Sequence, residues 1–318
     1  MDMRESKTGY EENLVSGNVK SGHFQKFFKQ VLKQKSIGML VYLSCLVFIG
    51  ICMLPAALSE YGILLGIPYW IFAMAVFLFL FQLILNGLGQ ACMRLIVGAS
   101  KIERQDMIER IKIPVQDIIS EARQNGLTLP DDIEVYQLNS SEAVTYAIGM
   151  NSIAVSLGMT ELPEDVFKAK ILAELYRIHV MDPDYLLFML GSNVVSIVLG
   201  AIVAVVGFFY MFFGDRRDGL LVESETKTGA LAFFGSVAVL SAWLGICFLF
   251  IRGAVRTNNF DADIYAAQCG YGEALCVYID NCLPKEASMR LKLLELGHPS
   301  GDNRIAVLQK AGVEYRGI

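Results

Sequence analysis

Four stretches constrain this chain more than anything else in it. Residues 37–58, 66–89, 186–213 and 230–251 are apolar and contain no Lys, Arg, Asp, Glu or His. A helix needs about 20 such residues to cross the hydrocarbon of a bilayer. These blocks account for a chain that is 54% hydrophobic with a mean hydropathy of +0.46. They predict an integral membrane protein with four spans. Ionisable residues at membrane depth mark pumps and ion-coupled transporters, and their absence argues against both. The formal net charge of −5 gives no reason to expect a nucleic-acid partner. Gln82, Asn86 and Asn193 are polar but uncharged, and are expected to hydrogen-bond between helices.

Lys and Arg set the orientation. Seven basic residues, Arg4 to Lys35, precede the first block, and the short SEYGILL loop after it has none. The positive-inside rule therefore places the N-terminus in the cytoplasm. Four crossings return the polar regions 90–185 and 252–318 to that side. The loop 214–229 must lie outside, although it carries Arg216, Arg217 and Lys227. The chain divides into a cytoplasmic tail (1–36), a membrane hairpin (37–89), a cytoplasmic domain (90–185), a second hairpin (186–251) and a C-terminal part that completes the domain (252–318). The first 20 residues read as a mobile tail. Cys45, Cys52 and Cys247 lie in apolar blocks, no CxxC pair occurs and the cysteine total is odd, so reduced thiols are expected.

Between the hairpins the pattern is αβα. A helix is predicted from Pro114 to Asn125. IEVYQL (133–138), AVTYAIG (143–149) and SIAVSLGM (152–159) are strand candidates rich in Val, Ile and Tyr. PEDVFKAKILAELYRIHV (163–180) then forms a helix, with Pro163 at its entry and Glu164 and Asp165 suited to its first turn.

That helix holds the chemistry-bearing residues. Ala173-Glu174-Leu175-Tyr176-Arg177 is followed by Ile178-His179-Val180-Met181-Asp182. Beyond the fourth block comes VRTNNFDADIYAAQCGYGEAL (255–275), and near the end HPSGDNRIAVL (298–308). With YAIGMNSIAVSLGMTEL (146–162), these runs resemble, in order, the HtpX-like membrane metallopeptidases, relatives of the CAAX prenyl proteases. The likeness covers about residues 30–315. It implies an α+β membrane protein: four transmembrane helices and a cytoplasmic gluzincin-like peptidase domain of helices with a small sheet. In that family an HExxH helix supplies two zinc-binding His and a general-base Glu. Here Glu174 keeps the base position and Asp182 the trailing Asp. The zinc-ligand positions fall on Ala173, Arg177 and Asn259, none a usable zinc ligand. Asp263, Arg256, His298 and Arg304 match further motif positions, with structural or ligand-orienting roles. Asp263 is expected to bond to the motif helix, and His298 to contact substrate in an active relative or to anchor a loop. The strand pair before the helix holds substrate backbone in active relatives.

No substitute metal site is apparent. Glu174 and His179 lie about 140° apart around a helix, so they cannot share an ion. His179 and Asp182 could, but a transition-metal site needs further ligands. Arg177 sits three residues from Glu174, within reach on the same helical face. The expectation is that its guanidinium takes over the metal charge and holds Glu174 ionised.

The resemblance and its broken motif together imply a zinc-free pseudoprotease that binds or regulates membrane proteins or peptides, or another membrane protease. No cofactor is then expected. The alternative is an active zinc metalloendopeptidase of membrane protein quality control. A third class is a four-helix membrane scaffold unrelated to peptidases. A bacterial inner-membrane location and a homo-oligomer fit the first two.

Overall fold

A computed structural model describes residues 87–149, 151–185, 223–283 and 298–317, most of 62–83, and scattered positions elsewhere. The first span (37–58) except Leu58 and most of the third (186–213) lie outside the described residues, as do nearly all of the tail and much of loop 214–229. The described part is mostly helical with a small mixed sheet.

Helix α1, Gly62–Val76, is apolar and falls largely in the second predicted span. Helix α2, Gly89–Val97, follows it. The predicted helix near 114–125 is α3, Ile113–Gln124, with Pro114 near its start, directly after a π-helical stretch, Ile108–Lys112. The three predicted strands are β2 (Glu134–Leu138), β3 (Thr145–Ala147) and β4 (Ser152–Ser156). A further strand, β1 (Ala99–Lys101), is too short and polar to stand out in sequence. Leu157, Gly158 and Met159, predicted as strand, lie instead in a 3₁₀ turn, Leu157–Glu161.

The sheet order is β1-β2-β4-β3. β2 and β4 are parallel, with Tyr136 opposite Ala154, and both outer pairings are antiparallel. Every residue of β4 is buried, as its central place requires. β3 is an edge strand, and that edge faces the motif helix α4, Glu164–His179.

α4 is buried nearly all round. Its residues 169–175 are buried without a break. A surface helix would show one apolar stripe. This one lies between the sheet, α3 and the last turns of α5, and Ile171, Leu175 and Ile178 join Ile119, Ile153, Val155 and Leu308 in one core. Pro163 starts the helix, its carbonyl accepting from the Val166 and Phe167 N–H groups at 3.0 Å. Met181 ends the segment in the left-handed region, at φ 58°.

Helix α5, Glu223–Ala266, contains the fourth predicted span. At 1.5 Å per residue its 44 residues extend about 66 Å. From Phe233 onward it is long and apolar enough to cross a membrane, with a window of mean hydropathy 2.2. It is the one such helix among the described residues. Asn193 accepts a hydrogen bond from Trp243 Nε1 at 2.7 Å, an interhelical contact of the expected kind. Helices α6 (Gly272–Val277) and α7 (Gly301–Lys310) complete the domain. Phe27, assigned to the tail, is fully buried and packs against Tyr185 and Phe188, with ring centroids 5.7 and 5.3 Å away. Aromatic packing therefore docks Phe27 on these two residues.

Candidate functional site

Glu174 sits at the centre of a buried polar cluster. Only 1% of it is exposed. Its Oε1 accepts from Lys170 Nζ at 2.5 Å. Its Oε2 accepts from Arg177 Nη1 at 3.1 Å and from the Ala147 backbone N–H at 2.9 Å. Lys170 and Arg177 stand four residues before and three after Glu174, so one helical face carries all three. Ala147 belongs to edge strand β3. The neighbouring Ile148 N–H turns inward to Ser152 O at 2.7 Å, leaving the Ala147 N–H for the free edge, and Glu174 takes it.

The expected Arg177–Glu174 contact is present, and Arg177 has a second carboxylate. Its Nε and Nη2 lie 2.8 and 2.7 Å from Asp182 Oδ2. The left-handed Met181 folds the chain back so that Asp182 can reach Arg177. Asn258 Nδ2, from α5, donates to the other Asp182 oxygen at 2.8 Å. Both partners of this pair are buried.

Asp263 behaves differently from expectation. Its carboxylate is held by Arg304 of α7, with Nε at 2.8 Å and Nη2 at 2.6 Å. This paired geometry is the strongest form of carboxylate–guanidinium bond. Asp263 thus ties α5 to α7 rather than to the motif helix. Arg256 also departs from expectation: it is exposed and stacks over Phe260, 5.5 Å from the ring centroid, away from the cluster. His179 and Asp182 part company too. His179 Nδ1 lies 2.8 Å from Thr128 O, while Asp182 turns to Arg177.

The charges decide the protonation states. Burial alone would raise the Glu174 pKa. The Lys170 and Arg177 charges and the hydrogen bonds from Lys170 and Ala147 outweigh it and hold the carboxyl at about 2. Burial lowers the Lys170 pKa, and Arg304 and Arg177 add to that, with Glu174 opposing. Burial opposes the Arg177 charge as well, but Glu174 and Asp182 more than compensate. His298 is pushed well below the ordinary imidazole value, first by burial and then by Arg177, Arg304 and Lys170. It is neutral, and its Nε2 is sealed from solvent without a hydrogen-bond partner among the described residues.

The three positions that the family resemblance aligns with zinc ligands carry side chains that do not fit zinc. Ala173 has no donor atom. Arg177 is a cation committed to two carboxylates. Asn259 Nδ2 bonds back to Val255 O at 2.8 Å on its own helix. Among the described residues no group of three His, Cys, Asp or Glu could hold a metal ion. A narrow cleft does reach Arg177 and Asp182, walled by Met93, Tyr146, Ile148 and Val255.

Two members of the cluster escaped the sequence reading. Lys170 was detectable as a Lys one turn before Glu174 in an apolar run. Asn258 had no signal beyond its place beside Asn259.

No protein-family model matches the chain, and neither does any of the curated proteins. Among solved structures, the crystal structure of Ste24p from S. mikatae is similar over 88% of this chain, at 17% identity and a TM-score of 0.42. The match spans 66% of that protein, just under two thirds of its length. The likeness is distant on both measures, and the functional reading rests on the residues of the cluster.

Proposed function

We propose that this chain is a zinc-free pseudoprotease of the HtpX-like type. In this reading it is a four-span membrane protein with cytoplasmic termini, and it uses the inherited cleft to bind or regulate membrane proteins. The observation that supports it most is the state of Glu174. A metallopeptidase base must accept a proton from metal-bound water. Glu174 is sealed from solvent, its oxygens are engaged by Lys170, Arg177 and Ala147 N–H, and its pKa is far below the working range of a general base. Arg177 supplies a fixed cation beside it.

The test is metal analysis and casein cleavage on detergent-purified protein. Zinc well below one equivalent, with no cleavage above background, is the expected result. One equivalent of zinc, together with proteolysis that the Glu174→Gln variant loses, would establish the active-enzyme reading instead.

A further inference from the structure

Helix α2 has an apolar face that nothing else in the described chain covers. Gly87, at φ 139°, and Gly98, at φ 73°, interrupt helical geometry on either side of it. These are conformations in which a Cβ is strained. α2 is therefore a separate short helix rather than an extension of the segment before it. Its inner face packs on the domain through Gln90, Met93 and Val97. Its one charge, Arg94, turns towards β2, with Nη1 2.5 Å from Tyr136 Oη and 3.3 Å from Glu134.

The outer face consists of Leu88, just before the helix, with Cys92, Leu95 and Ile96. Leu88 is 60% exposed, Leu95 80% and Ile96 42%, and Cys92 is exposed as well. At 100° per residue these positions fall within an arc of about 100°. The stripe carries no charge. Phe72, Val76, Phe79 and Leu83 in the preceding segment are exposed as well.

The height of α2 follows from the cleft. Met93 of α2 and Val255 of α5 wall the same cleft. Val255 lies four residues beyond Ile251, the last residue of the uncharged run in α5, or about 6 Å along the helix. Arg252 and Arg256, both exposed, flank that level. So α2 lies where an apolar span gives way to charge. An amphipathic helix lying in a bilayer interface buries its apolar face about 5–10 Å into the headgroup–acyl boundary.

We propose that α2 is an interfacial membrane anchor. Its Leu88–Cys92–Leu95–Ile96 stripe lies in the lipid boundary and holds the Met93 wall of the cleft at the membrane surface. The proposal rests on the reading that α5 spans the membrane. It makes the cleft accessible to chains that run along or emerge from the bilayer.

The test uses the full chain in nanodiscs, with a dansyl-type amino acid placed at position 95, 249 or 101 in separate samples. The discs contain phospholipid with or without a nitroxide near the top of one acyl chain. Quenching at 95 and 249 should exceed that at 101 by roughly threefold. Position 249 reports the α5 span and position 101 the polar strand after α2. Quenching at 249 with none at 95 would overturn the anchor and leave the span intact, whether water or a second protein copy covers the stripe. No quenching at 249 would overturn the span reading and the anchor with it. If the label at 95 disturbs folding, a sample labelled at position 88 reads the depth of the same stripe.

Discussion

At the residue scale the cluster is one of mutual dependence. Lys170, Arg177 and Arg304 are set against Glu174, Asp182 and Asp263, all buried. Replacing such a network wholesale with apolar residues can be harmless, but removing a single partner strands a buried charge. Glu174→Gln leaves Lys170 and Arg177 facing each other, and Arg177→Met strands Asp182. Each variant should lose about 3–5 kcal/mol, measured by thermal or denaturant unfolding in detergent. Losses below about 1 kcal/mol would mean the pairs behave like solvated surface bridges. Acid should act on the same groups. Glu174 binds its proton more weakly folded than unfolded, so its contribution is full above the ordinary value of 4.5 and is lost as pH falls towards about 2. His298 is also depressed when folded, and adds a loss that begins as pH falls below 6.5. The melting temperature should therefore rise continuously from about pH 4 to about pH 7. A profile flat across that range would contradict the assigned protonation states.

At the element scale the decisive feature is how α4 ends. Met181 adopts φ 58°, which costs an ordinary L-residue about 1–2 kcal/mol, and the turn it makes delivers Asp182 to Arg177. A β-branched residue is far less tolerant of that region. Met181→Val should destabilise the protein by a further 1–2 kcal/mol or so, while Met181→Gly should be nearly neutral. Melting curves of the two variants side by side check this, and equal behaviour would show that the turn is not the constraint. The packing of α4 also closes the free edge of the sheet. β3 leaves the Ala147 N–H unpaired by β4, and a side chain from α4 satisfies it, as a buried donor requires.

At the scale of the whole molecule, three elements distant in sequence meet at one place: α4, the last turns of α5 and α7. Their charges suggest a direct experiment. Combining Ala173→His, Arg177→His and Asn259→Glu removes one buried positive charge and adds one negative charge. The deficit of two is what a zinc ion would neutralise, and the new side chains are ordinary zinc ligands. The triple variant should take up about one equivalent of zinc, read by elemental analysis after dialysis, and should melt higher with zinc than without. Absence of uptake in a folded variant would show that the three positions do not converge.

Much of this was legible in the sequence. The αβα order of the domain was, because apolar alternation and β-branched runs mark strands, and Pro163 followed by acids marks a helix start. The closeness of Glu174 and Arg177 was too, since three residues in a helix bring side chains onto one face. Other features belong to the tertiary structure. Asp263 was expected on the motif helix and lies on Arg304, because pairing across 41 residues depends on how α5 and α7 pack. The burial of Lys170, the reach of Asn258 to Asp182 and the use of the Ala147 N–H each need two elements brought together. Local spacing determines which side chains can share a face. Packing alone decides what stands opposite that face, and here it places a lysine, an arginine and a strand edge around one glutamate.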